Sequence, residues 1–87
     1  ASIGKDSIVN TGARIDHDCE IRMECHICPG VTLTGGVKVG RGTMIGAGTT
    51  VIPGITIGAD SLIAAGSVVF VDVPPESHFI QRRETTS

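Results

Sequence analysis

Tryptophan and tyrosine are absent from this 87-residue chain, and phenylalanine occurs only twice. With so few rings the chain has almost nothing on which a base could stack. Seven Lys and Arg stand against nine Asp and Glu, a formal net charge of −2, so there is no basic footprint either. The two shortages together disfavour nucleic acid as a partner. Cysteine occurs three times, an odd number that argues against a disulfide framework, and a reducing cytoplasm is the expected location. No apolar run approaches the roughly 18 residues needed to cross a bilayer as a helix, so no membrane partner is expected.

What the chain does have is a repeat. Every sixth residue from Ile3 to Val69 is Ile, Leu or Val, twelve in succession, although these three types supply only 22 of the 87 residues. A period of six is neither the 3.6 of an amphipathic helix nor the 2 of a half-buried strand. It fits a short strand followed by a corner, three such units closing one coil of about 18 residues: the hexapeptide form of the parallel β-helix.

Two further registers agree. Two positions before each aliphatic stand small or β-branched residues, from Ser7, Ala13, Cys19 and Cys25 through Thr43 and Thr49 to Ser61 and Ser67. Residues two apart on a strand point the same way, so these share the interior with the large aliphatics. Three positions after each aliphatic stand Gly or, at most of the rest, Asp: Asp6, Gly12, Asp18, Glu24, Gly30, Gly36, Gly42, Gly48, Gly54, Asp60, Gly66 and Asp72. These tolerate the left-handed backbone of a tight corner. The expectation is an all-β chain with a β-helix of about four coils over residues 1–72 and a short C-terminal tail over 73–87. So thin a prism has little interior per residue, which favours oligomer burial. Ala1 falls inside a repeat, so a further coil or domain upstream is expected.

Stacking at 18 residues gives three faces of different character. The first carries Glu20, Arg22 and Lys38 and is polar. The second carries Ile8, His26, Met44 and Leu62, an apolar column that a threefold contact would bury. The third, with Arg14, Asp16, Thr32, Thr34 and Thr50, turns apolar toward Ile52, Val68 and Phe70. Those Thr do not extend into the regular ladder of an ice-binding surface.

His17 occupies a corner where the repeat needs no imidazole, and His26 points out from the apolar second face. The corner of His17 is opposite that face, so within one subunit the two cannot meet, and a shared site would have to form between neighbouring subunits. Blander readings stand beside this: a decorative corner His17, a turn residue at Asp18, an interface residue at His26. Cys25-His26-Ile27-Cys28 has metal-pair spacing, but alternation turns Cys25 inward and Cys28 outward, whereas a tetrahedral site needs converging ligands. A three-histidine zinc site across a trimer and an acyl-accepting Cys28 are weaker alternatives still, and no metal is expected.

The stretch Ile15-Asp16-His17-Asp18-Cys19, followed by His26-Ile27-Cys28-Pro29-Gly30-Val31-Thr32-Leu33-Thr34-Gly35-Gly36-Val37, resembles the acyltransferase domain of the sialic acid O-acetyltransferase and UDP-amino-sugar (bacillosamine-type) N-acetyltransferase family. The similarity continues through Ile45-Gly46-Ala47-Gly48 and Ile63-Ala64-Ala65-Gly66-Ser67-Val68-Val69. The resemblance implies a left-handed β-helix assembled as a homotrimer, and acetyl-CoA-dependent transfer to a sugar hydroxyl or amine. It places the general base on His17 and the acidic neighbour that raises its basicity on Asp18. Acetyl-CoA contacts fall on His26, Gly35, Ala47 and Ala65, with a sugar or nucleotide-sugar acceptor. Two segments depart from the family pattern. Arg22-Met23-Glu24 stands where Gly usually follows the aliphatic, and His78-Phe79-Ile80-Gln81-Arg82-Arg83 replaces a Gly- and Pro-containing segment that helps hold the cofactor. Arg82 and Arg83 are candidates to meet CoA phosphates. The alternatives are a serine-type or other small-molecule O-acetyltransferase and, in another class, a non-catalytic trimeric scaffold.

Overall fold

The computed structural model describes residues 1–80. Thirteen two-residue strands make up its regular structure. The first face is the sheet β1 (Ser2–Ile3), β4 (Glu20–Ile21), β7 (Lys38–Val39) and β10 (Thr56–Ile57). The second is β2 (Ile8–Val9), β5 (His26–Ile27), β8 (Met44–Ile45), β11 (Leu62–Ile63) and β13 (His78–Phe79). The third is β3 (Arg14–Ile15), β6 (Thr32–Leu33), β9 (Thr50–Val51) and β12 (Val68–Val69). All pairings are parallel, and most join residues 18 apart, such as Ile21↔Val39 and Ile27↔Ile45. Two joins are closer in sequence, the isolated bridge Ile57↔Val73 and the ladder of Leu62↔His78 and Ile63↔Phe79. Strand β13 lies beyond the boundary expected at residue 72, so the ladder of the second face continues past it.

The interior follows the two inward registers. Ile27, Ile45 and Ile63 are fully buried, and so are Val31, Val37, Thr43 and Thr49 between them. Each buried hydroxyl finds a carbonyl: Thr43 Oγ1 donates to Gly58 O at 2.9 Å, Thr49 Oγ1 to Ala64 O at 3.1 Å and Ser67 Oγ to Ala64 O at 2.7 Å. A narrow core thus tolerates Thr and Ser without an orphaned polar group. The first coil differs from the expectation. Ile3 is 50% exposed and Val9 37%, in strands β1 and β2 at the ends of their sheets.

The corner register also holds in the backbone. Gly12, Gly30, Gly36, Gly42, Gly48, Gly54 and Gly66 have φ between 71° and 79°, and Asp6, Glu24 and Asp60 have φ of 61°, 59° and 56°. Asp18 and Asp72 occupy the same register but are not among the residues with positive φ. Their acidic side chains are therefore not explained by a left-handed corner.

Candidate functional site

His17 and Asp18 sit on the edge between the third and first faces, in the corner joining β3 to β4. A turn fixes this corner, with Cys19 N–H donating to Asp16 O at 3.1 Å, and Cys19 then anchors it as a buried core residue. The two side chains stand in solvent, 86% and 72% exposed, with His17 Nε2 3.6 Å from Asp18 Oδ2. That contact is an ion-pair distance rather than a formed hydrogen bond. It turns Nε2 toward the carboxylate and leaves Nδ1 facing elsewhere.

On the second face His26 is half-buried, and the coil beneath supplies it with a partner. Asn10 Nδ2 lies 2.9 Å from His26 Nε2 and donates to Ile27 O at 3.1 Å. The Ile27 carbonyl orients the amide, since a flipped Asn10 would set oxygen against oxygen. The NH₂ group therefore faces Nε2, which must accept, and the neutral imidazole carries its proton on Nδ1. His26 is thereby prepared to donate outward. Asn10 did not stand out in the sequence, although 18-residue stacking places it beside β5, one residue beyond the Val9↔Ile27 pair.

Gly35 lies one coil above His17 on the same edge and is half-buried. Its φ is not positive, and a Cβ built there would meet only Asp16 Oδ2, at an ordinary 3.9 Å. Neither backbone conformation nor packing within the chain requires glycine here. Its carbonyl accepts from Gly54 N–H at 3.0 Å, while its own N–H has no acceptor among the described residues. That amide is a free donor on the edge of His17. Ala47 and Ala65 are exposed and stack one coil apart on a different edge, between the second and third faces. The Ala47 carbonyl receives Gly66 N–H at 2.8 Å, which fixes the spacing.

The chain therefore holds its candidate residues in two groups. His17, Asp18 and Gly35 share one edge; His26, Ala47 and Ala65 lie on or beside the other, and the filled core separates them. Cys28, expected to face outward, is instead buried at 9% exposure. It lies in register between Asn10 and Gly46 on the second face. Cys25 is turned inward and its thiol is pushed up by burial, which makes it a poor nucleophile. Among the described residues no group of three or more His, Cys, Asp and Glu is placed to hold a metal ion. Arg82 and Arg83 lie outside the described residues.

Residues 36–70 match the family described as bacterial transferase hexapeptide (six repeats). A histidine-to-asparagine variant of perosamine N-acetyltransferase from Caulobacter crescentus, in complex with CoA and GDP-perosamine, superimposes with a TM-score of 0.86 at 47% identity, over 87% of this chain and 36% of that one. The chain resembles the hexapeptide-repeat sugar acetyltransferases. It is also similar to the acetyltransferase domain of PglB from Neisseria gonorrhoeae, bound to acetyl coenzyme A, with a TM-score of 0.82 and 36% identity over 83% of this chain and 35% of that one. PerB from Caulobacter crescentus, in complex with CoA and GDP-perosamine, is 39% identical over 84% of this chain and 38% of that one, with a TM-score of 0.54. No curated protein sequence matches the chain. The coil is the left-handed parallel β-helix of hexapeptide repeats. The chain spans little more than a third of the length of the structures it matches.

Proposed function

We propose that the chain is the acetyl-CoA-dependent catalytic unit of an N-acetyltransferase whose acceptor is the amine of a nucleotide-linked sugar. The observation that carries this reading is the 47% identity, over 87% of the chain, with an enzyme held in complex with CoA and GDP-perosamine. The amine nitrogen attacks the thioester carbonyl, and His17 accepts the proton that the amine loses. The C–S bond of the tetrahedral intermediate then breaks, the acetyl group stays on nitrogen, and the CoA sulfur leaves with a proton. Asp18 turns one imidazole nitrogen toward itself and leaves the other for the acceptor. The transient oxyanion needs donors fixed in advance. The free Gly35 N–H and the Nδ1–H of His26 are both of the required kind.

Because the core separates His17 from His26, the complete site is built from two subunits. The edge of His17 and the edge of Ala47 and Ala65 bound the same third face. In a closed trimer, bringing one edge of each subunit against the other edge of its neighbour assembles three equivalent clefts. The third face then turns toward the axis, and the apolar column of the second face lies at or beside the contact.

Calorimetric titration with CoA and a transfer assay on GDP-linked amino sugars test the reading together. Binding and turnover are expected, with His17→Ala abolishing turnover. The side chain is 86% exposed, so its loss leaves no cavity and the fold should persist. Absence of CoA binding would return the chain to the scaffold class, and transfer only to hydroxyl acceptors would reassign it as an O-acetyltransferase.

A further inference from the structure

Arg14 and Asp16 carry opposite charges on one face and do not pair. Both are exposed and point outward from the third face on either side of the inward Ile15, about 6.5 Å apart along the strand. Among the described residues the one ion pair is His17–Asp18, so neither the Arg14 guanidinium nor the Asp16 carboxylate has an opposite charge within 4.0 Å. The fold explains neither side chain. Arg14 N–H donates to Val31 O at 2.7 Å and Asp16 N–H to Leu33 O at 3.0 Å, as any residue's would, and neither residue has a positive φ.

The two columns that rise from them change character together. Above Arg14 stand Thr32, Thr50 and Val68 in register. Above Asp16 stand Thr34, Ile52 and Phe70, each coil taking the backbone N–H of the one below. Thr34 commits its hydroxyl to Val51 O at 2.6 Å, whereas Ile52, Val68 and Phe70 leave 37%, 42% and 55% of their surface exposed. The face is thus charged at its foot and apolar at its head, three coils or about 14 Å higher. An apolar patch of this kind needs cover.

A face so graded fits a second copy of itself in one orientation. Arg14 lies toward the second face and Asp16 toward the first, so when one edge of a subunit meets the other edge of its neighbour, Asp16 arrives beside the neighbour's Arg14. With the coils level, the apolar heads meet as well. Inverted, each charge would face Val68 or Phe70 and lose water without gaining an opposite charge. We infer that the third face is a contact between copies of this chain lying parallel in a ring, in which Asp16 of each subunit pairs with Arg14 of the next. This rests on the reading of a site shared between subunits and adds what sets them level, which is the condition for His17 of one to serve the cofactor positions of another.

Sedimentation of the full chain and of three charge variants tests it, with thermal melts to confirm folding, since both side chains are exposed and their exchange disturbs no core. Arg14→Asp and Asp16→Arg each set like charges across every contact, and each should raise the concentration at half-dissociation by at least about tenfold. The double exchange, Arg14→Asp with Asp16→Arg, restores opposite charges and should recover most of that loss. Added salt should narrow the gap between the single variants and the native chain. Transfer by Arg14→Asp should fall with association and return when the protein is concentrated. Single exchanges that associate like the native chain overturn the inference, and so does a double exchange as weak as the singles. Should the charge dependence appear in a chain that transfers no acetyl group, the contact stands while the proposed activity fails; a native chain that stays monomeric removes both the contact and the shared site.

Discussion

Asn10 gives the sharpest test of how the site is prepared. Its amide donates at 2.9 Å to Nε2 of His26 and at 3.1 Å to the Ile27 carbonyl, and together these fix the His26 proton on Nδ1. In Asn10→Ala both bonds are lost. The Ile27 carbonyl keeps the Asn10 backbone N–H at 2.9 Å, and His26 is only half-buried, so water can replace part of what is removed. The stability cost should therefore be about 1 kcal/mol, the net worth of a single hydrogen bond rather than of two. The same magnitude, no longer favouring one tautomer, corresponds to about a fivefold change in the tautomer ratio. Asn10→Asp is nearly isosteric but carries only acceptors. It should draw the proton to Nε2 and invert the tautomer. The assay is the ¹⁵N shift pattern of the His26 ring, with kcat measured alongside. The native ring should show a protonated Nδ1, kcat should fall about twofold in Asn10→Ala, since a fivefold change in ratio brings a predominant tautomer only to near parity, and further in Asn10→Asp, and acceptor KM should change little. A native ring protonated on Nε2, or an aspartate variant that keeps the Nδ1 proton, would refute the reasoning.

Two neighbouring glycines should separate function from folding. Gly36 has φ of 74°, so Gly36→Ala should lower stability by about 1 kcal/mol in thermal melts; Gly35→Ala has room for its Cβ and should melt like the native chain while raising the KM for acetyl-CoA. Ile8, Met44 and Leu62 leave 54%, 41% and 40% of their surface exposed on the second face, and sedimentation at micromolar concentration should give three copies of the 9.0 kDa chain. A stable monomer would remove the two-subunit site. In the trimer, the imidazoles of His17 and His26 from adjacent subunits should approach within about 10 Å, a few hydrogen-bond lengths.

The coil was legible because one spacing fixes three registers at once. Where Ile27 faces in, Cys25 must as well, and Gly30 must turn the corner. Alternation gives the direction of the Cys28 side chain but not its exposure, which is only 9%. His17 stood out because a corner seldom needs an imidazole. Asn10 did not, because a polar residue is ordinary at an outward position beside a strand and its role depends on a carbonyl in the coil above.

Asp18 illustrates how the backbone can discriminate between two readings that composition leaves equal. By register it is one of several acidic corner residues, and Asp6 and Asp60 meet that description with φ of 61° and 56°. Asp18 shares their register without their conformation, so the tolerance of aspartate for a left-handed corner does not account for it. What remains is its side chain, 3.6 Å from the imidazole of His17 on an edge where both are open to solvent. An exposed pair of this kind adds little to stability. Orienting His17, as proposed above, would give an aspartate at this corner a use that the left-handed backbone does not. In a repeat whose rules are this strict, the residues that the fold does not require are the ones left for chemistry.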